Sequence, residues 1–398
     1  MKKISVLLAG IGGYGTGYLN ELLDAANLQD SANPMDSKDL PFFFAGAADP
    51  FAERSPRFAE LMDRKIPVYK TPDEFFASGG KAGLTVIASP IHTHYPYIVT
   101  AFKNGSYVLC EKPVTGDLAR LDDLITQEKK TGLFCAVGFQ LCFARGTLAL
   151  KKDIMDGVLG KPVEFKAIQM PKRGDKYYSR NNWAGKIRVE GELIYDSPLN
   201  NACGHDLQLM LFLLGNEMDN SAEVTSVKTE AWKARPDIEN FDAYALHITT
   251  AAAAIRYYTA HCVNTPPRGQ RGEFLFEKAL VRWGENNNAE LTAYFNDGRI
   301  KNYEVPLKNS IKEKFYDCLE AVKTGKPPYC TLKTVRNHLK CVTEAQKLPV
   351  KQIPLEKIVY EKNIGDEPWY YVPGLAEAFL KSYGENVLPS QTGFNPLI

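Results

Sequence analysis

Residues 4–15 read Ile4-Ser5-Val6-Leu7-Leu8-Ala9-Gly10-Ile11-Gly12-Gly13-Tyr14-Gly15. The apolar run is short and gives way at once to glycines, which suits a buried β-strand better than a helix. An amphipathic stretch, Tyr18 to Ala26, follows, so the glycines sit at a strand-to-helix turn. In that setting each glycine has a mechanical task. Gly10 makes the tight turn, Gly12 lets the backbone approach a pyrophosphate at the positive end of the helix, and Gly15 allows close helix-to-strand packing, with Gly13 and Tyr14 completing the turn. Met1-Lys2-Lys3 before the run resembles the start of a secretory leader, but the apolar segment ends too soon for one, and a first strand explains it better.

The next apolar run, Phe42 to Ala48, ends in Asp49. A carboxylate at the end of the second strand accepts hydrogen bonds from adenosine ribose hydroxyls and repels a 2′-phosphate, so NAD is the expected cofactor; Arg54, close by in sequence, keeps NADP open. The spacing from Gly15 to Asp49 is longer than usual because Asn27 to Lys38 reads as a polar insertion. Ala52 to Met62 continues the alternation as a helix. Further apolar runs follow at Leu84–Ala88, Tyr107–Cys110 and Leu133–Val137, separated by helical stretches such as Tyr97–Lys103 and Leu118–Lys130. Strands alternating with helices predict a Rossmann-like, doubly wound parallel sheet.

After about residue 160 the rhythm changes. β-rich runs appear at Val163–Ile168, Ala243–Thr250, Ile255–His261, Glu273–Phe276 and Glu290–Phe295 with few helices between them, and Ser310 to Lys347 is again helical. The expected organisation is an α/β dinucleotide-binding domain over residues 1–144 and an α+β domain over 145–398 built on a large, mostly antiparallel open sheet. The helical tail, from about residue 310, is free to pack back on the first domain.

Composition narrows the partners. The 398 residues carry 48 Lys plus Arg against 47 Asp plus Glu, so no broad field favours nucleic acid or an anionic membrane. No stretch approaches the roughly 20 apolar residues that span a bilayer, and a cytoplasmic location follows by default. The eight cysteines are scattered without a Cys-x-x-Cys pair or metal-ligand spacing, which reads as buried, reduced thiols and no metal. A small molecule is the expected partner.

Two further segments fall at strand ends on the ligand-binding edge of the predicted sheet: Ser89-Pro90-Ile91-His92-Thr93-His94, and Glu111-Lys112-Pro113. A lysine there, fixed by the following proline, can reach a substrate hydroxyl. With the glycine turn and the Ala136-Val137-Gly138-Phe139 strand end, Phe143 beyond it, these segments resemble the glucose-fructose oxidoreductase / inositol dehydrogenase / rhizopine-catabolism family over the first 145 residues. The resemblance implies a nicotinamide-dependent enzyme acting on a sugar, polyol or related compound. It also implies Lys112 as a catalytic residue, Ser89, Pro90, Glu111 and His94 around the cofactor, and a homo-oligomer, dimer or tetramer, formed through the open sheet.

In the second domain, Asn200 to Leu214 followed by Gly215 reads as an N-capped helix with a glycine stop, carrying Asn201, His205 and Gln208 on one polar face. Aligned on His205 and Gly215, the family's Asp-x-Gly-x-His-x-x-Asp pattern here has amides, Asn201 and Gln208, in place of both acids. The resemblance leaves His205 as the acid/base working with Lys112 and Asn201 as its orienting partner. Ahead of this helix, Tyr178, Arg180 and Trp183 lie in a segment rich in aromatics and hydrogen-bonding groups that suits sugar binding, and Asp196 is available to replace the lost carboxylate. Three activities stay open: hydride transfer at a carbohydrate-like secondary alcohol or carbonyl; NAD-dependent glycoside cleavage through transient oxidation and elimination; and a non-catalytic dinucleotide-binding sensor.

Overall fold

The computed structural model describes residues 3–29, 40–264, 271–284, 290–304, 310–362 and 367–397. The chain divides into two compact units. The first comprises Met1–Thr115, Ala119–Phe143 and Lys308–Lys333, and the second Gly116–Leu118, Ala144–Leu307 and Thr334–Ile398. One cut at residue 144 therefore does not describe the chain, and the tail is shared: only its beginning joins the first unit.

The first unit is a six-stranded parallel sheet in the order β3-β2-β1-β4-β5-β6. Its strands are β1 (Ile4–Ala9), β2 (Phe42–Ala48), β3 (Val68–Tyr69), β4 (Leu84–Ile87), β5 (Tyr107–Cys110) and β6 (Cys135–Val137). The central strands are buried on both faces, Val6 to Ala9 being fully so, which is why they read as unbroken apolar runs. The order reverses between β1 and β4, and the carboxyl ends of strands at such a switch point form the ligand crevice of open α/β sheets.

Helix α1 (Gly15–Gln29) follows the glycine turn. It takes in Asn27 to Gln29 of the expected insertion; residues 30–38 of that insertion lie outside the described residues. The continuous helix expected over Ala52–Met62 is broken. A 3₁₀ turn, Ala52–Arg54, is separated from α2 (Phe58–Asp63) by Ser55, Pro56 and Arg57, since a proline lacks the N–H to continue and disfavours the helical region for the residue before it. Helices α3 (Pro72–Ala77), α4 (Ile91–Lys103) and α5 (Leu118–Thr131) complete the crossovers.

The second unit holds α6 (Arg145–Met155) and an eight-stranded sheet in the order β10-β11-β12-β7-β13-β14-β15-β16. Strand β7 (Pro162–Gln169) is parallel to β12 (Ala254–Ala260); the other pairings are antiparallel. Short α7 (Asp175–Ser179), the hairpin β8 (Arg188–Val189) and β9 (Glu192–Leu193), and α8 (Gly204–Leu213) lie between β7 and the remaining strands. Those are β10 (Val224–Trp232), β11 (Ala243–Thr250), β13 (Arg271–Phe276), β14 (Ala279–Trp283), β15 (Glu290–Phe295) and β16 (Ile300–Glu304). Two helices follow, α9 (Ser310–Thr324) in the first unit and α10 (Leu332–Ala345), then the hairpin β17 (Val359–Glu361) and β18 (Trp369–Tyr371) and α11 (Leu375–Glu385).

The aromatic tail packs on its own unit's sheet. Phe379 and Phe394 meet Trp232 of β10, and Tyr258 of β12 donates to the carbonyl of Val387 at 2.8 Å. Helix α8 is buried nearly all round, and a fully buried cation satisfies one of its terminal carbonyls: Lys151 Nζ donates to Phe212 O at 2.7 Å and to Asn220 O in the loop beyond at 2.6 Å.

Candidate active site

In the first unit the glycine turn has the shape its composition requires. Gly10 adopts φ +86° beside the loop after β4; a Cβ on it would lie 2.6 Å from Ser89 N. A Cβ on Gly15 would lie 2.0 Å from Gly10 O, so the third glycine closes the turn upon itself before it serves helix packing. A Cβ on Gly12 would meet nothing within 4 Å, which leaves this backbone open to close approach by a phosphate group at the amino end of α1. Asp49 fixes the turn from β2, accepting the Ile11 N–H at 2.9 Å and the Phe51 N–H at 2.8 Å. Each of its oxygens keeps a further lone pair for a ribose hydroxyl. Arg54 stacks on Phe51, 4.5 Å from the ring centroid. The donor set, the open turn and the placed carboxylate fit a dinucleotide.

Glu111 and Lys112 follow β5 on the same edge. Glu111 is 7% exposed, and its Oε1 accepts from Tyr18 at 2.6 Å and from the wholly buried ammonium of Lys314 on α9. A Cβ on Gly138 would lie 2.6 Å from Glu111 Oε2, so only glycine leaves room for the carboxylate there. Lys314 also donates to the Tyr14 hydroxyl at 3.1 Å, and Tyr14 in turn donates to Gln140 at 3.2 Å. One lysine thus ties the glycine turn, the first helix and the end of β5. Burial would push the Lys314 ammonium down, but Glu111 and Tyr14 outweigh it and hold its pKa above the usual lysine value. Burial, with Glu111 adding, pushes Tyr18 well up, so its hydroxyl keeps its proton. Lys112 is half-buried.

Ser89 Oγ and Thr93 Oγ1 are 2.6 Å apart at the head of α4, for which Pro90 is the N-cap. His94 is buried, with Nδ1 2.9 Å from Pro113 O and Nε2 2.8 Å from Ser89 O. Both ring nitrogens are therefore committed to backbone, and His94 joins the two strand-end loops to each other. Burial lowers its pKa.

In the second unit the single polar helix face expected for Asn201, His205 and Gln208 does not form. Residues Pro198–Ala202 make a π-helical turn, and α8 begins only at Gly204. Pro198, with no N–H to give, and Ser197, whose hydroxyl caps Asn200 N at 3.2 Å, favour a separate turn. Asn201 lies on that turn. Gln208 is 1% exposed and donates to Ser221 Oγ at 3.2 Å and Thr334 O at 3.4 Å, which makes it a packing residue of α8 and removes it from the expected substrate set. His205 stands half-buried in the first turn of α8.

Asp196 lies against Asn201. It is 2% exposed, its Oδ1 accepts from Asn201 Nδ2 at 2.7 Å, and its Oδ2 accepts from Gly185 N at 2.7 Å with the Arg180 guanidinium 3.9 Å away. Arg180 lies between two rings, 3.7 Å from the centroid of Tyr177 and 5.1 Å from that of Trp183. Tyr178 is bonded through its hydroxyl to His261 Nδ1 at 2.8 Å. The structure thus gathers Tyr178, Arg180 and Trp183 near Asp196 and Asn201, and adds Tyr177 and His261. Neither His261 nor Lys314 was legible in the sequence: one sits at the end of an ordinary strand, and the other lies about 200 residues from its partner Glu111.

The family model described as "Oxidoreductase family, NAD-binding Rossmann fold" matches residues 4–139, the region that holds the glycine turn, Asp49 and Glu111-Lys112. Over these residues the chain is similar to the glucose-fructose oxidoreductase / inositol dehydrogenase / rhizopine-catabolism family. A curated member, scyllo-inositol 2-dehydrogenase (NAD(+)) of Bacillus subtilis, is 28% identical over 171 residues, 42% of this chain and 45% of that protein. The chain spans about half the length of the curated relatives it matches. The fold is shared further. An NAD binding oxidoreductase from Klebsiella pneumoniae superposes with TM-score 0.69 at 18% identity, covering 87% of this chain and 96% of that one. The WlbA dehydrogenase from Bordetella pertussis, solved with NADH and UDP-GlcNAcA, gives TM-score 0.66 at 17% identity, covering 88% of this chain and the whole of that one. The matched region, residues 4–139, has the parallel-sheet topology of an NAD-binding Rossmann fold. No helix among the described residues is long and apolar enough to cross a membrane.

Proposed function

We propose that this protein is an NAD-dependent oxidoreductase that transfers hydride to or from a secondary alcohol or carbonyl of a sugar, polyol or related carbohydrate. The observation that supports the reading is that Glu111, the neighbour of Lys112, is tied through Lys314 to the same turn that fits the dinucleotide, with Lys112 following at the carboxyl end of β5, the edge where such sheets bind their ligand. Bound there, NAD supplies a two-electron acceptor. Proton handling falls to side chains. Oxidation of the alcohol releases the hydroxyl proton as the hydride leaves carbon, and Lys112 and His205 are the groups we assign to receive it. Asp196, through Asn201, supplies the negative charge that the family's first acid would have carried. Asp49 disfavours a 2′-phosphate, so NAD is preferred to NADP.

The test is turnover of a panel of polyols and sugars, followed by nicotinamide absorbance. Substrate-dependent NADH formation is expected, lowered about 10²- to 10⁴-fold in Lys112→Ala and in His205→Ala with NAD affinity nearly intact. Substrate consumed without accumulating NADH would redirect the assignment to NAD-dependent glycoside cleavage. If neither variant slowed turnover of an identified substrate, Lys112 and His205 would not be the proton-handling groups; no turnover of any compound, with NAD still bound, would make a sensor the better account.

A further inference from the structure

The aromatic segment of the second unit holds more hydrogen-bond donors than its own residues satisfy. Three nitrogen-bearing groups surround the Tyr177 ring: the Arg180 guanidinium 3.7 Å from its centroid, the Arg173 guanidinium at 4.9 Å, and the His261 ring at 5.3 Å. His261 is 2% exposed, and its Nε2 is buried without a hydrogen-bond partner among the described residues, as is Arg173 Nε. Burial and then the two arginines push the imidazole well below its usual range, so the ring is neutral. Tyr178 Oη and Nδ1 lie 2.8 Å apart, and in the tautomer in which the hydroxyl donates, the ring's hydrogen sits on Nε2. In that tautomer two buried N–H groups meet no acceptor among the described residues.

The charges leave the same surplus. Arg180 faces the buried carboxylate of Asp196 and donates to Tyr177 O. Arg173 has no carboxylate in ion-pair range among the described residues; besides Tyr177, its contact is a backbone N–H bonded to His261 O at 3.3 Å. A neutral polyol brings acceptors but no balancing charge. An anion brings both, and guanidinium-to-anion hydrogen bonds are roughly twice as strong as neutral ones.

We propose that Arg173 and His261 form a subsite for an anionic group, a carboxylate or a phosphate, on the carbohydrate substrate, with Tyr177 as its apolar floor. The inference rests on the carbohydrate reading given above and narrows it to acidic sugars. The test is calorimetric titration of the full chain, saturated with NAD, with matched ligands: glucuronate and glucose 6-phosphate against glucose, and gluconate against sorbitol. At least one anion should bind tenfold or more tightly than its neutral counterpart. That preference should fall about tenfold in Arg173→Gln and be partly kept in Arg173→Lys, with NAD affinity unchanged in both. The uronate and phosphate arms separate the two sources of charge. Equal affinities within every pair, or a preference that survives Arg173→Gln, would overturn the subsite. An anion that binds selectively without any nicotinamide reduction would keep the subsite and reject hydride transfer. Turnover of neutral polyols without anion preference would do the reverse.

Discussion

Asn201 shows what a single residue contributes when its partner is known. Against the family pattern it is a lost acid, and replacing it with aspartate looks like a restoration. The structure reverses that expectation. Asn201 Nδ2 already donates to Asp196 Oδ1 at 2.7 Å, so Asn201→Asp would set two carboxylates against each other beside one guanidinium, Arg180. Such a pair retains a proton, and its folded-state pKa rises above the unfolded carboxylate value of about 4. The penalty is therefore full above the folded pKa and vanishes as the pH falls below the unfolded one. The variant should lose about 2–4 kcal/mol at pH 7 and less than about 1 kcal/mol at pH 4 relative to the wild type, as measured by denaturant unfolding at both values. A deficit independent of pH would mean that the two carboxyl groups do not meet.

At the scale of the element, the glycine turn separates folding from binding. Gly15 is required by packing, because a Cβ there would overlap the Gly10 carbonyl, 2.0 Å away. Gly12 is not, since a Cβ there meets nothing within 4 Å. Gly15→Ala should lower the stability of the first unit by about 3 kcal/mol, whereas Gly12→Ala should stay within about 1 kcal/mol of the wild type and weaken NAD about tenfold or more, by filling the space a pyrophosphate needs. Thermal unfolding and quenching of intrinsic fluorescence by NAD check the two halves separately. This turn was legible in the sequence because its constraints are local, and the buried parallel strands were legible for the same reason. Strands β10, β14 and β16 were not. Along β10 (Val-Thr-Ser-Val-Lys-Thr-Glu-Ala-Trp) and β16 (Ile-Lys-Asn-Tyr-Glu), which end the sheet, polar side chains face solvent and dilute the apolar signal.

Across the whole molecule, the first unit is completed by a segment that the chain delivers late. Lys314 neutralises Glu111, Phe315 packs 5.2 Å from the Phe42 ring and 6.4 Å from the Tyr18 ring, and Val137 N–H donates to Cys330 O at 2.9 Å. A fragment ending at Phe143 would lose all of these and leave a buried carboxylate without its cation, a cost of about 3–5 kcal/mol for that loss alone. That is a large part of the 5–15 kcal/mol typical of a domain. The fragment is expected to show no cooperative melt by circular dichroism, whereas residues 1–143 joined by a flexible linker to 308–333 should melt cooperatively. Equal melting of the two would show that the late segment is dispensable.

The sequence by itself determined the turn, the strand rhythm, the family resemblance and the cofactor, because each rests on neighbours within a few residues: glycines at a strand end, a carboxylate at the next strand's end, apolar runs of strand length. The tertiary structure alone decided what surrounds the charges. It set Lys314 against Glu111, Asp196 against Asn201, and two arginines and a neutral histidine around Tyr177. It also moved Asn201 off α8 and turned Gln208 inward. The cost of burying a charge or a donor depends on which distant groups come within hydrogen-bonding reach, and no local pattern encodes that.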